Sequence, residues 1–141
     1  MATAITRSYS PDTRSANKGE IVISGAFSTN GTSDPVAFRG PAGLSTDLPN
    51  GIVSIVYSAT GISTLTFEDQ FYAGTGAQVH LSLATAADKC AQFNGFANLS
   101  SSSSSLTATI TTLAAGSAAA VAAASGSEVW FEFRFKKTAA K

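Results

Sequence analysis

His80 is the only histidine and Cys90 the only cysteine in 141 residues. A Cys–His nucleophile with a second His, a CxxC redox motif and a two-histidine metal site therefore cannot be written. His80 has Ser82 and Asp88 near it in sequence, but no G-x-S-x-G elbow accompanies them, and serine is abundant enough to supply the pairing by chance. His80 is expected on the outward side of a strand. Gly74-Thr-Gly76 lacks the third glycine and the Lys of a phosphate cradle and reads as a turn. Glu68 and Asp69 form a carboxylate pair without the further Asp or Asn ligands a calcium loop needs. Phe67, Phe71 and Tyr72 would suit a sugar platform, although aromatic residues at a strand end more often close a core. Cys90 is expected to be a small buried hydrophobe. These residue types predict no enzyme, no cofactor and no metal.

Composition points the same way. The 25 Ala, 20 Ser, 16 Thr and 12 Gly make up 73 of the 141 residues, and charged side chains only 13%, against ~25% in ordinary domains. Nine basic residues balance nine acidic ones, leaving no net field to gather nucleic acid or an anionic membrane. No apolar run approaches the ~18 residues of a membrane helix. The opening MATAITR has no apolar core of a secretion signal, so synthesis in the cytoplasm is expected. One domain of this length buries roughly 68% of the surface its unfolded chain exposes.

The elements that must position any site are strands. Residues 1–17 hold too few apolar groups to bury and predict an extended N-terminal arm, ahead of a domain over 18–137 and a tail over 138–141. From Glu20, Ile21, Ile23, Gly25 and Phe27 alternate with Glu20, Val22, Ser24 and Ala26, the period of a strand. Residues 28–51 read as two long loops around a short strand at Val36–Arg39, because Asn30-Gly31, Pro35, Pro41 and Pro49 punctuate them. Ile52–Ser58 carries β-branched residues on both sides, which predicts a strand covered on both faces. Ser58-Ala-Thr-Gly61 turns the chain into Ile62–Phe67, completing a hairpin.

A Gly-rich corner at 72–76 then precedes Gln78–Ala84, with Val79, Leu81 and Leu83 inward and His80 and Ser82 outward. Residues 86–96 suit a strand better than a helix. The six serines 100–105 predict a flexible loop, and Leu106–Leu113 alternates again. Ala is the best helix former, yet Gly116 and Ser117 interrupt 114–125 and a single Val gives no apolar stripe, so an irregular connection is expected. The last strand places Val129, Phe131, Phe133 and Phe135 on one face, and Glu128, Trp130, Glu132 and Arg134 on the other. Strands joined by Gly, Pro and Asn loops without a βαβ rhythm predict an all-β, antiparallel β-sandwich of about eight strands, jelly-roll-like. A large aromatic among charges on an outward face makes Trp130, with Glu128, Glu132 and Arg134, the candidate oligomer or docking interface.

Tyr57-Ser-Ala-Thr-Gly61-Ile-Ser-Thr-Leu-Thr-Phe67, followed by Phe71-Tyr72 and the terminal aromatic strand Val129–Phe135, resembles small structural proteins of tailed bacteriophages over about residues 20–136. The resemblance is to capsid decoration, or cement, proteins. It implies a jelly-roll-like virion protein, made in the host cytoplasm, that sits as a homo-oligomer, a trimer, on the outer capsid surface and bridges major capsid protein subunits. An arm that threads across the shell would dock through Arg7, Tyr9 and Arg14. The rival expectation is a fibre or receptor-binding module whose loops 28–51 and 97–105 touch a host surface glycan.

Overall fold

Two antiparallel sheets packed face to face enclose the side chains that alternate inward. The computed structural model describes residues 19–40, 43–114 and 116–137. The proposed arm over 1–17, with Arg7, Tyr9 and Arg14, lies outside the described residues, as does the tail over 138–141. The strands are β1 (Glu20–Asn30), β2 (Ser33–Gly40), β3 (Gly43–Ser45), β4 (Ile52–Ala59), β5 (Ile62–Phe67), β6 (Ala73–Ser82), β7 (Lys89–Ala97), β8 (Thr107–Ala114) and β9 (Glu128–Lys136). One sheet runs β3-β2-β1-β9-β6 and the other β4-β5-β8-β7. The β1–β2–β3 meander and the β4–β5 and β7–β8 hairpins stay within a sheet, while four connections cross between sheets. The fold is thus an antiparallel β-sandwich, with nine described strands rather than about eight because 28–45 pairs.

The core follows from two alternations in register. β1 and β9 pair along their length, so Ile21 opposes Phe135, Ile23 opposes Phe133 and Phe27 opposes Val129. All nine phenylalanines lie in the core or pack against it. Phe67 meets Phe133 and Phe135 edge-on at 5.6 and 5.1 Å, and Phe71 stacks on Phe135 at 4.5 Å. These are favourable ring geometries. Gly74 explains how Phe96 reaches the cluster: a Cβ there would lie 2.5 Å from the Phe96 ring. Glycine is required by that close approach. The expected corner at 72–76 is therefore mostly strand, since β6 starts at Ala73 and carries an irregularity between Gly74 and Gly76.

Three other expectations are corrected. Residues 28–40 are the end of β1 and the whole of β2, joined by a tight turn at Gly31, whose φ is +63°. Pro35 does not prevent this, because among the described residues β3 pairs β2 only at Phe38–Gly40 and no second strand pairs the Pro35 flank. Ile52–Ala59 is an edge strand with Val53 55% and Val56 40% exposed, so β-branched residues on both sides did not mean cover on both faces. Its open edge is partly closed by Asp34, whose Oδ1 accepts the Tyr57 amide at 2.8 Å. That acid discourages pairing with stray strands. Cys90 is exposed on β7, opposite Leu113, because its neighbour Ala91 takes the inward side.

Where an irregular connection was expected over 114–125, Ala114 ends β8 and the described residues 116–127 are irregular, held by backbone hydrogen bonds. The Val121 amide donates to Thr112 at 2.9 Å, Gly126 to Thr29 at 2.8 Å, and Thr29 back to Ser127 at 2.7 Å. Small side chains let this strap cross the end of the sandwich closely. A Cβ on Gly61, at φ +69° in the β4–β5 turn, would collide with the Val121 backbone.

Candidate functional site

The outward face of the β1–β9–β6 region gathers most of the charged side chains that strand alternation sends away from the core. In register, Ala26 of β1 and His80 of β6 flank Trp130 of β9, and Arg39 of β2 stands beside Ala26. Trp130 is 38% exposed and Ala26 fully buried. A methyl group between the ring and the guanidinium leaves room for the two to meet: the Arg39 Cζ lies 5.7 Å from the ring centroid, a cation–π contact.

Arg39 is fixed from its other side by Glu128. Its Nε donates to Glu128 Oε1 at 3.1 Å and its Nη2 to Oε2 at 2.8 Å, the planar two-bond geometry that Lys could not reproduce. The hydrogen bond from Arg39 holds the Glu128 carboxyl below its ordinary range, helped by the arginine's charge and opposed by burial. The same bond and charge raise the Arg39 guanidinium.

Because Glu128's folded pKa is depressed, this interaction is complete above the ordinary carboxylate range, near ~4.3. It is lost as pH falls through the lower folded value. Trp130 is the only tryptophan, so its fluorescence reads this environment alone. With His80, which faces Trp130 across the strands, replaced by Gln to remove its own charge change, we expect that signal to be flat above the ordinary carboxylate range and to change only as pH falls below it. A midpoint in the neutral range would contradict the assignment.

Of the residues expected to form this face, Glu128 and Trp130 share the Arg39 cluster. Glu132 and Arg134 stand one row and two rows along: Arg134 reaches Glu132 Oε1 at 3.5 Å and Glu20 Oε1 at 3.6 Å. The face thus has a clamped aromatic end and a salt-bridged end. Arg39 was not among the expected residues. Its pairing with Glu128 spans 89 positions of sequence, and the available signal was its place opposite Phe38 in the Val36–Arg39 alternation.

Compared with known protein families, curated proteins and solved structures, the chain matches none. The chemistry of the face must be read from its own residues. His80 is exposed beside Trp130 and, among the described residues, makes no hydrogen bond to Ser82 or Asp88. Among the described residues no three His, Cys, Asp or Glu side chains are grouped to hold a metal ion, and no helix is long and apolar enough to cross a membrane. Phe67 and Phe71 are buried to within 2%, so they close the core and are withdrawn from any sugar platform. What the outer face offers is a rigid, partly exposed aromatic group framed by fixed charges. Such a surface is suited to being covered by another protein.

Proposed function

We propose that this protein is a structural virion component of a tailed bacteriophage that decorates the outer capsid surface as a homotrimer and bridges major capsid protein subunits. The observation that carries the reading is the Arg39–Trp130–Glu128 cluster, a pre-ordered anchor on a sheet face whose neighbours carry both signs of charge. Pre-ordering lowers the entropy lost on association. The phenyl-packed sandwich beneath it supplies the stiffness a shell clamp needs. Zero formal net charge suits a contact made by shape and apolar area, without nucleic acid, membrane, cofactor or catalysis as part of the role. A trimer multiplies individually weak contacts through avidity.

Cosedimentation of the purified chain with capsids that lack it, paired with a mass measurement of the free protein, tests the proposal. Saturable binding by a trimer is expected. Removing residues 1–17, with Arg7, Tyr9 and Arg14, is expected to leave a folded oligomer whose shell occupancy falls at least about tenfold, equivalent to ~1.4 kcal/mol per site. Unchanged occupancy would remove the arm from the mechanism, and failure of the full chain to bind would remove the proposal.

A further inference from the structure

Asparagine followed by glycine occurs three times, at Asn30-Gly31, Asn50-Gly51 and Asn94-Gly95. The pair is chemically labile, because glycine has no side chain to shield its amide nitrogen from the asparagine carboxamide. That nitrogen, on losing its proton to solvent, attacks Cγ. A nitrogen–Cγ bond forms, the Cγ–Nδ2 bond breaks, and Nδ2 leaves with a proton as ammonia. Water then opens the succinimide ring: cleavage at Cγ gives aspartate, and cleavage at the main-chain carbonyl gives isoaspartate. No oxidant or reductant takes part.

The structure separates three pairs that are alike in sequence. Asn94 lies within β7, and both ends of its carboxamide are engaged: Nδ2 donates to Thr111 Oγ1, and Oδ1 accepts from Gln92 Nε2 at 3.2 Å. Asn50 is exposed, but Gly51 is buried in a turn that the Ile52 amide closes onto Pro49 at 3.1 Å. Solvent base meets the Gly51 nitrogen only when that turn opens. Asn30-Gly31 is the opposite case. It forms the tip of the β1–β2 hairpin, where Asn30 is exposed, Gly31 partly exposed, and the space a Cβ on Gly31 would enter is open. Among the described residues the Gly31 amide donates no hydrogen bond. The carboxamide of Asn30 is held by one exposed bond, from Nδ2 to the Asp34 carbonyl at 3.2 Å. Ties to the rest of the sandwich stop on either side of the tip, at Thr29, bonded to Ala124, Gly126 and Ser127, and at Asp34, which holds the Tyr57 amide. We propose that Asn30, at this hairpin tip, is a site of spontaneous modification, converted to isoaspartate and aspartate ahead of Asn50 and Asn94. Either product adds one negative charge to a chain of zero formal net charge. Isoaspartate also adds a main-chain carbon in the turn whose register sets Ala26 opposite Arg39.

The test incubates the full-length protein in mildly alkaline buffer and follows each pair over time by tryptic peptide mass. Cleavage after Lys18, Arg39, Lys89 and Arg134 puts the three pairs in separate peptides, and chromatography resolves isoaspartate from aspartate. A parallel time course in concentrated urea gives the reference, in which the three pairs should react at similar rates. In the folded protein, Asn30 is expected to gain the mass of an amide exchanged for an acid at least about tenfold faster than Asn50 or Asn94, the difference being the local opening those two require. Asn30→Gln, at an exposed side chain, should remove the early acidic species and leave the slower two unchanged. Equal folded rates at the three pairs, a faster rate at Asn50 or Asn94, or no gain at Asn30 over a period in which the unfolded chain reacts would overturn the proposal. Capsid binding is measured separately and does not depend on the result.

Discussion

Phe133→Ala is expected to lower the unfolding free energy by ~3–5 kcal/mol, a large share of the ~5–15 kcal/mol that keeps a typical domain folded. Phe133 is fully buried and opposes Ile23 on β1 and Ala77 on β6. Its ring contacts Phe67, Phe93, Phe96 and Phe131 with centroids 5.3 to 5.6 Å apart. Those partners come from both sheets, so truncation opens a void at the sheet interface that neither sheet can close by moving alone. Thermal or denaturant unfolding measures the effect, at one protein concentration because self-association adds to apparent stability. Val36→Ala, at a 65% exposed position, is the control and should stay within ~0.5 kcal/mol of the parent. A Phe133→Ala loss below ~1 kcal/mol would mean that the phenyl cluster is not the main tie between the sheets.

That cluster was legible in the sequence because β9 alternates without interruption: one face of Val129, Phe131, Phe133 and Phe135 admits only one register against a core. The same period placed Glu128, Trp130, Glu132 and Arg134 outward, where the structure has them. Other features were hidden for identifiable reasons. Val53 and Val56 look like core residues, but Ile52 and Ile55 take the inner side of β4 and leave the two valines on an outer side that is open to solvent, which the local pattern does not carry. Arg39 joined the site through a contact from β2 to β9 that no local window spans. Residues 28–40 held the Asn30-Gly31 hairpin signal, but Pro35 argued for loop until pairing showed which flank of β2 is open. The serine run was legible as an exposed loop, whereas its hydroxyl-to-backbone bonds were not, because composition reports only what cannot pack.

Trp130→Ala is expected to weaken assembly or shell docking by roughly 30-fold, the ~2 kcal/mol characteristic of an interface anchor, with a much smaller effect on protomer stability. The separation follows from position: the ring lies on the outer side of β9, while the packing that holds the sheets together lies on the inner side. A purely structural Trp130 would behave in the opposite way. It would serve as a lid on Ala26, its removal would lower stability by an amount like that of a core truncation, and association would be unaltered. Arg39 sharpens the comparison, since its guanidinium both contacts the ring and is held by two bonds to Glu128. Arg39→Lys keeps the charge but loses the fork, so it should release the ring from its fixed pose and reproduce part of the Trp130→Ala loss. In the double variant the two losses should be less than additive, because both act on one contact. Additive losses would mean that Arg39 and Trp130 engage partners independently, and indifference in both the mass and cosedimentation measurements would return Trp130 to the role of a cross-strand cover.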